Sequence, residues 1–247
     1  MDRSILAVQN LCAWYGKGRP VLSDFSVELY EHEVVGLIGL NGAGKTTLLK
    51  TLSGLQETCC FDSVRFHGDP VAFRDKSFKL CRYTVFAEDN SFAYFTFQEY
   101  LSYAAAAYKK ELPDVRELLR GFHFEEHTQM LLKDLSTGNR KKVFLITAFA
   151  LKPELLFLDE PVNGLDFQST EFLYQQIAGY REYGTLLFSS HILESITLTS
   201  DRVLVLKDGK IRQIFSGGQI HAAKIREVLG HELELESCGE KPVGRRL

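Results

Sequence analysis

The segment Gly39-Leu40-Asn41-Gly42-Ala43-Gly44-Lys45-Thr46, continued by Thr47, fits the spacing G-x-x-x-x-G-K-[ST]. It lies where that spacing has meaning, between the apolar run Val34–Gly39 and a helical pattern carried by Leu48, Leu49 and Leu52. Glycines let the backbone wrap its N–H groups around an anion, and the start of the following helix adds a partial positive charge at the same point. Lys45 brings a full charge toward the outer phosphates, and the Thr46 hydroxyl is a candidate Mg²⁺ ligand. A purine nucleoside triphosphate is the expected ligand. A second reactive place is Leu155-Leu156-Phe157-Leu158, an apolar strand that ends in two carboxylates, Asp159 and Glu160. Asp159 is placed to hold Mg²⁺, and Glu160 to take a proton from a water attacking the γ-phosphate.

These groups need a frame that brings strand ends together. Ile5 to Glu28 alternates loosely and is broken by Gly16-Lys17-Gly18-Arg19-Pro20, which predicts two strands of an antiparallel edge. Val34–Gly39 predicts a strand buried on both faces, and Gly54 punctuates the helix after it. From about 95 to 151 the apolar spacing turns helical, with Phe97, Leu101, Ala104, Ala105 and Tyr108, then Val115, Leu118, Leu119 and Phe122. An inserted helical subdomain is expected there. Strand patterns return at Leu155–Leu158 and Thr185–Ser189, separated by a helical pattern from Thr170 to Tyr183, an alternation that predicts a parallel sheet with crossover helices. Asp208-Gly209 predicts a hairpin turn between Val203–Leu206 and Ile211–Phe215.

Bulk composition narrows the classes. With 29 Lys and Arg against 32 Asp and Glu the net charge is −3, without the basic excess of phosphate-backbone binders, so no nucleic acid partner is expected. The 45% hydrophobic and 25% charged shares are those of a globular chain and exclude global disorder. No apolar run approaches the roughly 20 residues needed to span a bilayer, and Met1–Leu6 shows no signal-peptide core. A membrane role therefore needs another chain. Five cysteines, Cys12, Cys59, Cys60, Cys81 and Cys238, include no C-x-x-C pair and fit a reducing cytosol. The vicinal Cys59-Cys60 reads as two small apolar residues at a strand or turn, and no function is assigned to it.

Further segments give the chain a family resemblance. Leu135-Ser136-Thr137-Gly138-Asn139-Arg140-Lys141-Lys142 resembles the LSGGQ signature of ABC ATPases and falls just upstream of the acidic strand. Gly164-Leu165-Asp166 resembles the family's D-loop, Ser189-Ser190-His191 its switch-histidine segment, and Trp14-Tyr15-Gly16 the aromatic loop that stacks on adenine. The ordered set spans about Ile5 to Phe215 and looks like the nucleotide-binding domain of an ABC transporter. The resemblance implies an α/β fold: a P-loop NTPase parallel-sheet core, an N-terminal antiparallel β subdomain and an inserted α-helical subdomain, over residues 1–235, with a flexible tail at 236–247. It also implies ATP and Mg²⁺ as ligands and a head-to-tail dimer, either a homodimer or a pairing with a closely related ATPase subunit. In that dimer Ser136 and Gly138 of one copy meet the γ-phosphate held by the other. A separate transmembrane permease subunit is the implied partner, and the cytoplasmic face of the membrane the implied location. His191 would contact the γ-phosphate and hold the attacking water with Glu160. Tyr15, with Trp14 as the other aromatic, would stack on adenine, and Asp166 would lie at the dimer's nucleotide site.

Some positions depart from the family pattern. Thr137 and Asn139 replace a glycine and a glutamine of the signature, while the anion-binding pair Ser136 and Gly138 is kept. The stretch Thr84–Asn90 contains no glutamine; spacing puts Ala87 at the family's Q-loop position, with Glu88 or Asp89 beside it as metal or water contacts. Arg140, Lys141 and Lys142 read first as a solvated basic face of a helix and second as helpers in phosphate binding. Phe92, Tyr94, Phe95 and Phe97, with the form of the signature, are similar to those of some bacterial peptide or bacteriocin exporters; the aromatics are read either as a docking groove or as ordinary packing. Other readings are a non-transport ABC ATPase acting on ribosomes or DNA, and a binding-only regulatory domain.

Overall fold

The computed structural model describes residues 3–230, and the tail expected at 236–247 lies outside them. The chain opens with two antiparallel strands, β1 (Ser4–Ala13) and β2 (Leu22–Tyr30), followed by β3 (Val34–Ile38) and helix α1 (Lys45–Leu52). Short strands β4 (Cys59–Cys60), β5 (Ser63–Phe66) and β6 (Asp69–Pro70) return to the first pair. Helix α2 (Lys76–Leu80) and strand β7 (Arg82–Val85) lead into α3 (Phe97–Ala107), α4 (Arg116–Gly121) and α5 (Thr137–Leu151). The rest alternates as β8 (Leu155–Asp159), α6 (Phe167–Gly179), β9 (Thr185–Ser190), α7 (Leu193–Thr199), β10 (Arg202–Lys207), β11 (Lys210–Ser216) and α8 (Ala222–Leu229).

Two sheets result. One has the order β2-β1-β5-β6, with β4 also on β1; the other has the order β11-β10-β3-β9-β8-β7 and is parallel except for β11. Continuous apolar runs are explained by the split of their side chains. Val34 and Ile38 of β3, Leu156 and Leu158 of β8, and Leu186 and Phe188 of β9 face the helical side. Val35 and Leu37, Leu155 and Phe157, and Leu187 face the antiparallel sheet. With period 2 and both faces covered, the middles of these strands are apolar, and buried polar Asp159, Ser189 and Ser190 gather at their carboxyl ends. Each fully buried Leu or Phe contributes about 1.5–3 kcal/mol, so this central sheet is the rigid base on which the loops at its carboxyl edge rest.

Local signals set the other boundaries. Thr96 and Glu99 form a reciprocal capping box that starts α3, Ser136 caps α5 and Asp166 caps α6. The helical pattern read from Thr170 begins three residues earlier, because Asp166 supplies the cap, and it ends at Gly179 before a short 3₁₀ turn, Tyr180–Glu182. The hairpin at Asp208-Gly209 forms as expected, both residues having positive φ. β3, β9 and β8 are adjacent, and from β9 the chain crosses β3 to place β10 on its far side. Connections therefore diverge beside β3, the place where open α/β sheets leave a crevice at their carboxyl edge.

Candidate active site

Each glycine of the phosphate loop answers a local constraint. A Cβ at Gly39 would lie 2.4 Å from the Leu206 carbonyl oxygen, and Gly44, at φ 109°, has the left-handed backbone that starts α1. The loop from Leu40 to Thr47, with Val21 and Glu160, lines an open cleft of about 360 Å³. A larger groove of about 750 Å³ lies elsewhere, between α4, α5 and α6; none of the reactive groups line it. Lys45 is 7% exposed, and its ammonium donates to the Gly39 carbonyl at 2.7 Å and lies 3.4 Å from Glu160 Oε1.

The acidic strand end meets this loop through hydroxyls. Thr46 Oγ1 donates to Asp159 Oδ2 at 2.8 Å, and Ser189 Oγ donates to Asp159 Oδ1 at 2.7 Å. Ser189 also accepts the Glu160 backbone N–H at 2.9 Å. The segment of Ser189 was named from the sequence but not its task, which follows from the register that pairs Ser189 with Asp159. The other Glu160 oxygen, Oε2, lies 2.8 Å from His191 Nδ1. One carboxylate is thus shared by Lys45 and His191 at the mouth of the glycine loop. Tyr15, half exposed, lies with its hydroxyl 3.4 Å from Thr47 Oγ1.

Glu160 holds this position on a left-handed backbone, φ 46°, which is unusual for a residue with a side chain. Its surroundings fix it. Lys141 Nζ donates to the carbonyls of Glu160 and Asn163, at 3.0 and 2.9 Å, and closes the turn from 160 to 163. Lys141 and Lys142 are each only 4% exposed, which corrects the expectation of a solvated basic face. Lys142 reaches across to Asp166 Oδ2 at 2.7 Å. The period of α5 turns both lysines toward the loop after β8, whose carbonyls and carboxylate satisfy them. Burial lowers the Lys141 pKa from the usual lysine range, opposed by the charges of Asp159, Glu160 and Glu88. For Asp166 partial burial acts upward, but hydrogen bonds from Lys142 and Ser169 prevail and hold the carboxyl well below the ordinary range.

Ser136 and Gly138 do not line the cleft of their own chain. Ser136 Oγ accepts from Asn139 N at 3.2 Å as the cap of α5, and Gly138 packs so tightly on Gly164 that a Cβ would lie 2.1 Å from its carbonyl oxygen. Asp166 caps α6 through Ser169 N at 2.8 Å. In the stretch without glutamine, Asp89 accepts from Ser91 N at 2.7 Å and Asn90 accepts from Arg140, while Glu88 contributes charge toward Lys141. Phe97 is core; Phe92 and Phe95 stack with Tyr103, and Tyr94 is 75% exposed.

The family model described as ABC transporter matches residues 22–163, more than half of the chain. The chain belongs to the ABC transporter ATP-binding family. It is an ATPase of that family, with the α/β fold expected from its sequence. It is 33% identical over 238 residues to the putative ABC transporter ATP-binding protein AlbC of Bacillus subtilis, covering 93% of this chain and 100% of the relative. To the SkfA peptide export ATP-binding protein SkfE of the same organism it is 32% identical, over 85% of this chain and 88% of the relative. Relatives named for import match as well, such as the sulfate/thiosulfate import protein CysA of Photorhabdus laumondii, 28% identical over 85% of this chain and 60% of the relative. The solved structure of an ATP-binding subunit of an ABC transporter superposes with a TM-score of 0.79 at 28% identity, covering 94% of this chain and 98% of that one.

Proposed function

We propose that this ABC ATPase drives transport by closing as a head-to-tail dimer over two ATP molecules and hydrolysing them with Glu160 as general base. The observation that carries the reading is the Glu160 carboxylate held between Lys45 and His191 beside the glycine loop. ATP phosphates fit the loop from Gly39 to Thr47, with the ring of Tyr15 as the platform for adenine. Water attacks the γ-phosphorus, Glu160 takes its proton, and ADP leaves with Lys45 balancing the charge on the phosphates; His191 keeps the carboxylate turned to that water. For Mg²⁺ the donor set fits: Thr46 and Asp159 present two oxygens in contact, and no cluster of three or more acidic, His or Cys ligands occurs among the described residues. That suits an ion that takes its other ligands from phosphate and water. Mg²⁺ supplies charge neutralisation on the phosphate oxygens when bound.

The dimer reading is supported by the signature. Gly138 packs on Gly164 of the turn after β8, Ser136 and Asp166 cap their own helices, and none of the three lines the cleft of its own chain, so a second copy, or a closely related ATPase, brings them to the γ-phosphate. Residues 1–235 are read as one nucleotide-binding unit with the helical lobe of 95–151 inserted. A separate transmembrane permease is the proposed partner, because no helix among the described residues is long and apolar enough to cross a membrane. Work at the cytoplasmic face, export as the direction, and no nucleic acid partner complete the proposal; the name of SkfE and the aromatic stretch from 92 to 97 favour export. Ala87 in place of the family's glutamine favours a second reading, binding without turnover. Phosphate release by the wild type, its loss in Glu160→Gln, and a Glu160→Gln dimer in Mg-ATP by light scattering are the expected results. A wild type that releases no phosphate would support the binding-only role, and a variant that stays monomeric at all concentrations would refute the closed dimer.

A further inference from the structure

Three thiols gather where β4 joins β1. Cys12 and Cys60 are direct cross-strand partners, as are Ala13 and Cys59. Alternation sends the two pairs to opposite faces of the sheet. Ala13 is fully buried and Cys59 packs against the inner cluster, so Cys12, half-buried, and Cys60, exposed, share the outer face. Directly opposed antiparallel residues have Cα atoms about 4.5–5.5 Å apart, inside the range of about 4.4–6.8 Å that a disulfide spans. Both are free thiols in this structure. Geometry therefore selects Cys12, not the adjacent Cys59, as the partner of Cys60.

The pair sits on the strap that carries the adenine platform. Trp14 N donates to Thr58 O at 3.1 Å, Gln56 Nε2 donates to Trp14 O at 2.6 Å, and the Thr58 hydroxyl donates to the same oxygen. Trp14 thus hangs on the segment from 56 to 60, whose β4 portion is two residues long, and Tyr15 follows it directly, three residues after Cys12. A covalent tie between Cys12 and Cys60 would fix both ends of that attachment.

We propose that Cys12 and Cys60 form a redox-convertible pair, closing into a cross-strand disulfide with a small-molecule disulfide as oxidant and steadying the segment that carries Tyr15. Exposed Cys60, as thiolate, attacks one sulfur of the oxidant and releases one thiolate. Cys12, as thiolate, then attacks Cys60 Sγ and releases the second. Two protein thiols are oxidised, the oxidant is reduced to two thiols, and the two cysteine protons end on them. Desolvation and then the neighbouring Cys12 thiol raise the Cys60 pKa, so the exchange accelerates as the solution is made alkaline. A preorganised Tyr15 binds nucleotide more tightly. That consequence rests on the reading of Tyr15 as the adenine platform.

The test uses the full chain, treated with glutathione disulfide at about pH 8.5 and mapped by mass spectrometry without reduction. A Cys12–Cys60 crosslink is expected in the wild type and in Cys59→Ser, and in neither Cys12→Ser nor Cys60→Ser. A Cys59–Cys60 bridge, a bridge to another cysteine, or a mixed disulfide that never resolves would overturn the pair. A fluorescent ATP analogue should bind the bridged protein about threefold or more tightly than the reduced one, with reversal by dithiothreitol; equal affinities would overturn the coupling. Reduced Tyr15→Ala separates the two readings. If it binds as the wild type does, the adenine platform fails while the mapping still decides the pair.

Discussion

Replacing Lys141 by Met tests whether the strained turn at Glu160 is held from beneath. The ammonium donates to the carbonyl of buried Glu160 at 3.0 Å and to that of exposed Asn163 at 2.9 Å. Hydrogen bonds from a charged donor are worth about 1.5–3 kcal/mol each, so about 3–6 kcal/mol is at stake. Removing a buried cation returns part of that, since burial already lowers the pKa of this group. A net loss of about 2 kcal/mol remains, or about 4–8 °C in Tm for a chain of this size. Glu160, at φ 46°, then relaxes toward an ordinary backbone and draws its carboxylate away from Lys45 and His191. A displacement of about 1 Å at a reacting group costs about 100-fold in turnover. The phosphate loop is untouched, so nucleotide affinity should stay within about threefold, well inside 1 kcal/mol. Steady-state phosphate release, a fluorescent-nucleotide titration and thermal unfolding measure the three quantities on one preparation. A folded Lys141→Met protein with wild-type kcat, or one whose affinity falls as far as its kcat, would refute the reasoning.

Asp166→Asn should lower Tm at neutral pH. The depressed carboxyl contributes stability above the unfolded pKa of about 4 and loses it as pH falls toward the lower folded value. The gap between wild type and variant in a pH series of melts should therefore narrow in acid; a gap constant with pH would exclude the ion pair as its source. Gly138→Ala places a Cβ 2.1 Å from the Gly164 carbonyl, which is backbone and cannot swing aside. Overpacking of this kind costs about 1–3 kcal/mol, and loss of both Tm and phosphate release is expected; an unchanged melt would show that the start of α5 and the turn at Gly164 separate freely. Tyr15→Ala should weaken ATP binding about fivefold, the low end of base stacking because the ring is half exposed. Tyr15→Phe should keep wild-type affinity, and equal losses in both variants would assign the effect to the hydroxyl on Thr47.

Much of the site was legible in the chain because its chemistry is local. Gly39 to Thr46 set a loop and a helix start within one stretch, and Asp159-Glu160 closes an apolar strand, so residue order alone named groups that the fold brings together, Lys45 beside Glu160 and Thr46 on Asp159. Burial of β3 on both faces was equally open to reading from the apolar run Val34–Gly39, while the same split in β8 and β9 came from the sheet's place between the two clusters. Lys141 and Lys142 were not legible. A run of basic residues on a helix has the same appearance whether it faces water or a ring of carbonyls, and only the packing of α5 on the turn after β8 separates the two. Ser189 was hidden for a related reason: a hydroxyl becomes a bridge between Asp159 and Glu160 only through the register of β9 on β8. The sequence by itself determined the ATP-binding family and the glycine loop that starts α1, because that loop's residues are consecutive along the backbone. Tertiary structure alone decided how Glu160 is held and which cysteine faces Cys60, because those contacts join residues far apart in the chain, and their geometry depends on strand order and register.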